Sequence, residues 1–436
     1  MASTGAIGLM AVFAVDLLNY FYISHLHDST LTAAIAFASS ISFVQIAVGL
    51  GMSIGLGAYT GRLIGACKHS RARNLASAFL VLMVGITFIL GLITAACAPY
   101  FLSLLGAKGE ALTHATDFLR IISPALPLIC MGMALSALLR AIGDARRSMN
   151  VTLIGAICTA ILDPVLIFGL HLGLEGAAIS TVLSRLAITL SGFFNLRDHD
   201  MLAYPKMRLI PVASRKIGHI ALPAIGTNLA TPVGSLFATH AMSRFGLDAI
   251  SGQAVIDRLV PVSFAFVFAL TGSVGPIMAQ NLGAHQIDRV KETFLCALKL
   301  TALCVIIAWF VFAICNNLIL EIFHVQGVGR GLVKLFCFSV VTSYMFVGLL
   351  FVSNTAFNNL NHPLYSTAFN WGRATLGTIP FVTIGATYGP KGVMIGQALG
   401  VVIFGSLAML TAFSVIHSLE KTDFRKKSVP SVKSRL

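Results

Sequence analysis

Twelve apolar runs of about 21 to 29 residues, parted by short polar turns, occupy most of this 436-residue chain. They lie at 2–24, 32–60, 76–100, 115–139, 150–170, 176–196, 219–243, 252–280, 294–320, 332–357, 365–388 and 392–418. Each is long enough to cross a hydrocarbon layer ~30 Å thick. With 57% hydrophobic and only 11% charged residues, the chain carries more apolar surface than one soluble core can bury. A backbone facing lipid must satisfy its own hydrogen bonds, and no ten-residue alternation of a barrel strand occurs, so the expected fold class is all-α and polytopic.

Lys and Arg set the expected orientation. The loops after the second, fourth, sixth and eighth spans carry Lys68, Arg71 and Arg73, then Arg146 and Arg147, then Arg197, Lys206, Arg208, Arg215 and Lys216, then Arg289 and Lys291. The alternate loops hold only Lys108, Arg244, Arg330 and Lys391, which places both termini on the cytoplasmic side of a plasma membrane, for a bacterium the inner one. The net charge of +14 is therefore juxtamembrane, suited to anionic lipid headgroups and not to nucleic acid. The first apolar run continues straight into further protein with no small-residue cleavage site, so it is expected to remain as a helix. The eight cysteines never form C-x-x-C, no zinc-protease His pair occurs, and there is no phosphate-binding G-x-x-x-x-G-K-[ST]. Neither a cofactor nor catalysis is expected.

The chain also repeats itself. A shift of 218 positions aligns "GLGAYTGRLIGACKHSRAR" (55–73) with "SVGPIMAQNLGAHQIDRVK" (273–291), so that Gly57, Gly65, Ala66, Arg71 and Arg73 meet Gly275, Gly283, Ala284, Arg289 and Lys291. The same shift sets "LRAIGDA" (139–145) against "FNNLNHP" (357–363), and one of 216 sets "GLEG" (173–176) against "GPKG" (389–392). Six spans per repeat is an even number, so both halves enter the membrane alike and a central cavity is expected between two parallel lobes. The expected organisation is an N-terminal lobe at 1–196, a linker at 197–218, a C-terminal lobe at 219–418 and a basic tail at 419–436.

Two of the sixteen acids, Asp16 and Asp163, stand well inside apolar spans. An ionised carboxylate there costs roughly 2.5 to 3.5 kcal/mol on insertion scales, so it should be paired, protonated or facing water. Counting helical rise puts Asp16, Asp163 and Thr181 at one depth in the outer part of the first lobe. Asn19 shares a face with Asp16, and Thr159 lies one turn before Asp163. Pro164 has no N–H for the carbonyl of Ala160, so the helix should bend beside the acid. Carboxylate, hydroxyl and carbonyl oxygens suit sodium, with Asp16, Asp163 and Thr181 its candidate ligands; a proton needs only the carboxyl group. At the repeat shifts these three positions become Gly234, Phe381 and Gln397, so coupling belongs to the first lobe. The second half adds the uncharged cavity candidates Asn228, Thr231, Asn354 and Gln397. Acids and aromatics without a buried basic cluster favour a lipophilic cation as cargo.

At these residues the chain resembles the multidrug and toxic compound extrusion (MATE) family. The resemblance is carried by "FAVDLLNYFYISHL", "GAYTGRLIGA", "LRAIGDARRSMNVTLIGAICTAILDPVLIFGLHLGLEGAAISTV" and "MAQNLGAH". It implies a twelve-helix, two-lobe antiporter that exports cationic lipophilic drugs or toxins against protons or sodium. First-lobe acids align the chain with the DinF-like branch, Asp16 and Asp163 matching its coupling acids and Thr181 its sixth-span hydroxyl. Thr159 stands where prokaryotic relatives often have Asn. Only fifteen residues precede Asp16, and the proline that relatives carry in the first half-helix is absent from them. A lipid-linked oligosaccharide flippase of the same superfamily would need several buried basic side chains, and the first-lobe spans offer Arg120 and Arg185.

Overall fold

The computed structural model describes residues 2–24, 29–170, 172–323 and 327–428. The side chains of 16–24, 29, 30, 32, 33, 247, 262 and 423–428 lie outside the described set. The described residues are helical and contain no strand. The first part of the chain forms α1 (Ala2–Ser24), α2 (Ser29–Gly65), α3 (His69–Ala96), α4 (Ala98–Leu104), α5 (Gly109–Ile122), α6 (Leu126–Ala141), α7 (Ala145–Pro164) and α8 (Gly173–Arg197). The rest forms α9 (Ile210–Ser243), α10 (Leu247–Ser263), α11 (Ala265–Gly283), α12 (Ile287–Ile322), α13 (Gly327–Phe338), α14 (Tyr344–Asn359), α15 (Pro363–Gly372), α16 (Ile379–Ala386) and α17 (Pro390–Ser428).

Among the described residues ten helical stretches are long and apolar enough to cross a membrane. Of the expected spans, the two missing from that set are the first, whose described apolar part is Ala2–Val15, and the eleventh. The eleventh is interrupted at Thr378, between the π-helical turn Arg373–Gly377 that continues α15 and the start of α16, which leaves two pieces too short to count singly. The expected linker at 197–218 is also mostly helical, since α8 ends at Arg197 and a 3₁₀ turn at Met207–Leu209 leads into α9.

Contacts divide the chain into one unit of Met1–Thr60 with Lys68–Leu229 and another of Gly61–Cys67 with Ala230–Leu436. Thus α2 and α9 each contribute to both. The first half of α9 stays with the first unit because Gly55 of α2 has no side chain: a Cβ there would stand 2.9 Å from the Ala221 backbone nitrogen. In this unit α1 packs along α7, and α8 packs against α5, α6 and α7. Leu102, Leu119 and Leu174 close a core around Ala34 and Ala38.

In the second unit, Phe264, Phe312 and Phe336 anchor the apolar core. The two glycines that the repeat brings into register meet there reciprocally. A Cβ on Gly65 would run into the carbonyl of Gln280, and one on Gly283 into the carbonyl of Arg62. Arg62 and Gln280 are themselves partners at the repeat shift, so the contact has local two-fold symmetry.

The turn between α6 and α7 holds the polar clasp that fixes α8 beside α7. Asp144 caps α7 by accepting the Arg147 N–H at 3.0 Å, and its other oxygen meets His199 Nε2, just past α8, at 3.0 Å. Arg147 reaches the Asn195 carbonyl at 3.2 Å and Asp198 at 3.1 Å. Burial pushes the Asp144 carboxyl up, but the Arg147 N–H, His199 and the Arg147 guanidinium outweigh it and hold the group below its ordinary value.

Two outcomes are expected. Gly65→Leu and Gly283→Leu should each lower the stability of the purified protein by about 1–3 kcal/mol through overpacking, and together by less than the sum, read by thermal unfolding in detergent. A carboxyl held low in the fold stabilises it above the unfolded-state value and stops doing so as pH falls through the folded one. The melting temperature of the wild type should therefore exceed that of Asp144→Asn at neutral pH, and the gap should close below about pH 4.

Candidate coupling site

Helices α7 and α8 run antiparallel, and their facing positions follow a constant register. Gly155 receives the Ile188 side chain, which a Cβ would strike at 2.3 Å. One turn on, the Thr159 hydroxyl donates to Ser184 Oγ at 2.8 Å, with the Gly155 carbonyl also within reach at 3.0 Å. One further turn brings Asp163 to the level of Ser180.

Asp163 is 1% exposed, and neither carboxylate oxygen has a hydrogen-bond partner among the described residues. Ser180 is fully buried, and its hydroxyl faces the acid without reaching hydrogen-bonding geometry. Ionisation in a membrane calls for donors that the described residues do not offer this carboxylate, whereas a protonated carboxyl group needs far less.

At Pro164, where a bend is expected, α7 passes into a π-helical turn, Val165–Gly169. It is closed by the Leu170 N–H on the Val165 carbonyl at 2.9 Å. Proline withholds one donor, and the wide turn that follows is the kind of irregularity found beside functional positions.

Thr181 does not join this face. One residue past Ser180, it is turned by about 100° around the helix and donates to the Ala177 carbonyl at 2.8 Å. It belongs to a second stripe with Arg185 and Thr189, which points at α5 and α6: Arg185 Nη1 lies 3.5 Å from the Ile122 carbonyl, and Thr189 donates to the Leu128 carbonyl at 2.7 Å. Ser180 and Ser184 take the place that sequence reasoning gave to Thr181. Their i, i+4 spacing mirrors that of Thr159 and Asp163, a signal readable once α7 and α8 are paired.

The remaining candidates are dispersed. The side chains of Asp16 and Asn19 lie in α1 but outside the described residues. Asn228 donates to the Ala224 carbonyl at 2.8 Å in the first unit. In the second, Thr231 is exposed, Gln397 is half-buried, and Asn354 is buried with its side-chain oxygen unpartnered. No hydrogen bond joins Asn228, Thr231, Asn354 and Gln397 to one another among the described residues. Among the described residues no group of three or more His, Cys, Asp or Glu could hold a metal ion. For sodium, the described side chains within reach of Asp163 add only the Ser180 hydroxyl.

Two arginines among the described residues bear on the cargo, one buried and one half-buried. Arg185, central in α8, is 8% exposed, and Arg373 lies in the π-helical turn after α15; the Nε of each is enclosed and unpartnered.

The family profile described as MatE matches this chain twice, at residues 6–165 and 223–384, which is the spacing of the internal repeat. An FAD transporter of Shewanella oneidensis is 28% identical over 431 residues, covering 97% of this chain and 95% of that protein. The multidrug export protein MepA of Staphylococcus haemolyticus is 28% identical over 324 residues, covering 73% of this chain and 69% of that one. The crystal structure of the Vibrio cholerae MATE transporter VcmN has the same fold, with a TM-score of 0.92 over 96% of both chains at 23% identity. With its two family segments, its apolar helices and this two-lobe fold, the chain belongs to the MATE family of multi-pass membrane transporters and is not an enzyme.

Proposed function

We propose that the chain is a secondary active antiporter that exports lipophilic organic cations in exchange for protons, with Asp163 as the proton-binding group. The observation that carries this reading is the Asp163 carboxyl group, enclosed in the membrane-spanning part of the first unit with no donor to either oxygen among the described residues. Such a group is accommodated neutral and becomes an anion only when the lobe rearranges to admit water or a cationic cargo. A proton is favoured over sodium because, of the described side chains, only the Ser180 hydroxyl stands within reach of Asp163 as a further ligand. The duplicated architecture suits a rocking exchange of access between two faces of a bacterial plasma membrane, and the basic loops favour cytoplasmic termini. Multidrug export by MepA supports the drug-like cargo.

A second cargo reading has its own support. The Shewanella relative that spans nearly the whole chain is named for FAD, an anionic flavin dinucleotide, and Arg185 and Arg373 supply unpaired positive charge that a purely cation-selective protein has no need of.

Everted vesicles with an acid lumen, containing the wild-type chain, should take up ethidium, and Asp163→Asn should abolish that uptake. Asp163→Glu should retain part of it. Uptake unchanged in Asp163→Asn would remove Asp163 from the mechanism, and uptake driven by a sodium gradient alone would replace the proton. A parallel arm with FAD separates the two cargo readings.

A further inference from the structure

The second unit contains a charged cluster that its apolar sequence hides. Asp257 lies ten residues into α10, and Arg373 ten residues beyond the start of α15, each about 15 Å of helix from that end. Tyr344, at the start of α14, stands within electrostatic range of both. Its ring is wedged into the aromatic core, stacked on Phe264 at 4.7 Å and met edge-on by Phe336 at 5.9 Å. That packing leaves the phenol as the ring's one polar point.

The charges in this cluster are not spent on each other. Asp257 Oδ1 accepts from Gln253 Nε2 at 2.9 Å, and no ion pair joins Asp257 to Arg373. The Arg373 side chain has no hydrogen-bond acceptor among the described residues, and its Nε is enclosed. The Tyr344 hydroxyl likewise forms no hydrogen bond among the described residues. An arginine this far from both ends of its span cannot be explained by a headgroup, because its stem reaches only a few ångströms along the helix.

We propose that Arg373 and Tyr344 form an oxyanion-binding subsite for cargo within the C-terminal lobe, the guanidinium fork and the phenol donating to a phosphate or carboxylate group of an aromatic compound. Two donors on an aromatic floor match such a compound at both its charged and its planar ends. Gln253 contributes by holding Asp257, which leaves the guanidinium free for cargo. This inference rests on the anionic-cargo reading above and names the residues that would serve it.

Riboflavin and its 5′-phosphate differ by the oxyanion alone, so fluorescence titration of the full-length purified chain with each isolates the contribution of this site. The wild type should bind the phosphate ester more tightly by about ten- to a hundredfold, the strength of hydrogen bonds to a charged group. Arg373→Gln should bind the two flavins alike, Arg373→Lys and Tyr344→Phe should keep part of the preference, and Arg330→Gln, which alters an exposed arginine on α13, should behave as wild type. Riboflavin binding retained in Arg373→Gln reports an intact fold, and if that variant does not fold, Arg373→Lys and Tyr344→Phe carry the test. Equal affinities in the wild type would overturn both this subsite and the anionic-cargo reading. A phosphate preference that survives in Arg373→Gln would overturn the subsite and leave the cargo reading standing.

Discussion

The register of α7 against α8 is the constraint on which the first unit's chemistry depends. Two antiparallel helices present one stripe each, and a shift of one residue in either would exchange Ser180 for Thr181 opposite Asp163. Three features keep the register: the glycine that admits Ile188, the hydrogen bond between Thr159 and Ser184, and the polar clasp of Asp144, Arg147 and His199 at the far end. The clasp is exposed and individually weak, yet it sits where the two helices would otherwise splay. At the opposite end Pro164 and the π-helical turn release the ladder just where the buried acid lies.

An enclosed acid with no hydrogen-bond donor among the described residues is costly to ionise. A fully satisfied carboxylate would lock one state, whereas one that must change protonation or find a new partner couples ion occupancy to conformation. Asp163 and Arg373 share this property although they sit in different units and carry opposite charges. Each is unpaired among the described residues, and each lies at a helical irregularity, the π-helical turns Val165–Gly169 and Arg373–Gly377. Wide turns loosen the local ladder and give a side chain room to reorient, which fits groups that exchange partners during transport.

Much of this was legible in the sequence. Apolar run length against bilayer thickness gave the all-α class, and charge asymmetry and helical rise singled out Asp163. The repeat was visible in glycines such as Gly65 and Gly283 because close backbone approach tolerates nothing larger, so their spacing survives where other positions drift. Ser180 and Ser184 were not legible, since serine in a membrane helix is common and bonds its own backbone; only pairing with α7 distinguishes them. Asp257 and Arg373 escaped for a related reason. A charge some ten residues into a span looks like a loop-proximal residue until the helix ends are known.

The sequence by itself determined that the chain crosses a membrane many times, that it is duplicated, and that a carboxyl group stands where ionisation is costly, because those properties follow from length, periodicity and the energetics of transfer into hydrocarbon. Which hydroxyl meets that carboxyl, and whether an arginine in the other lobe finds a counter-ion, was decided by tertiary structure alone. A helix turns about 100° per residue, so its partners are set by packing between helices and not by distance along the chain.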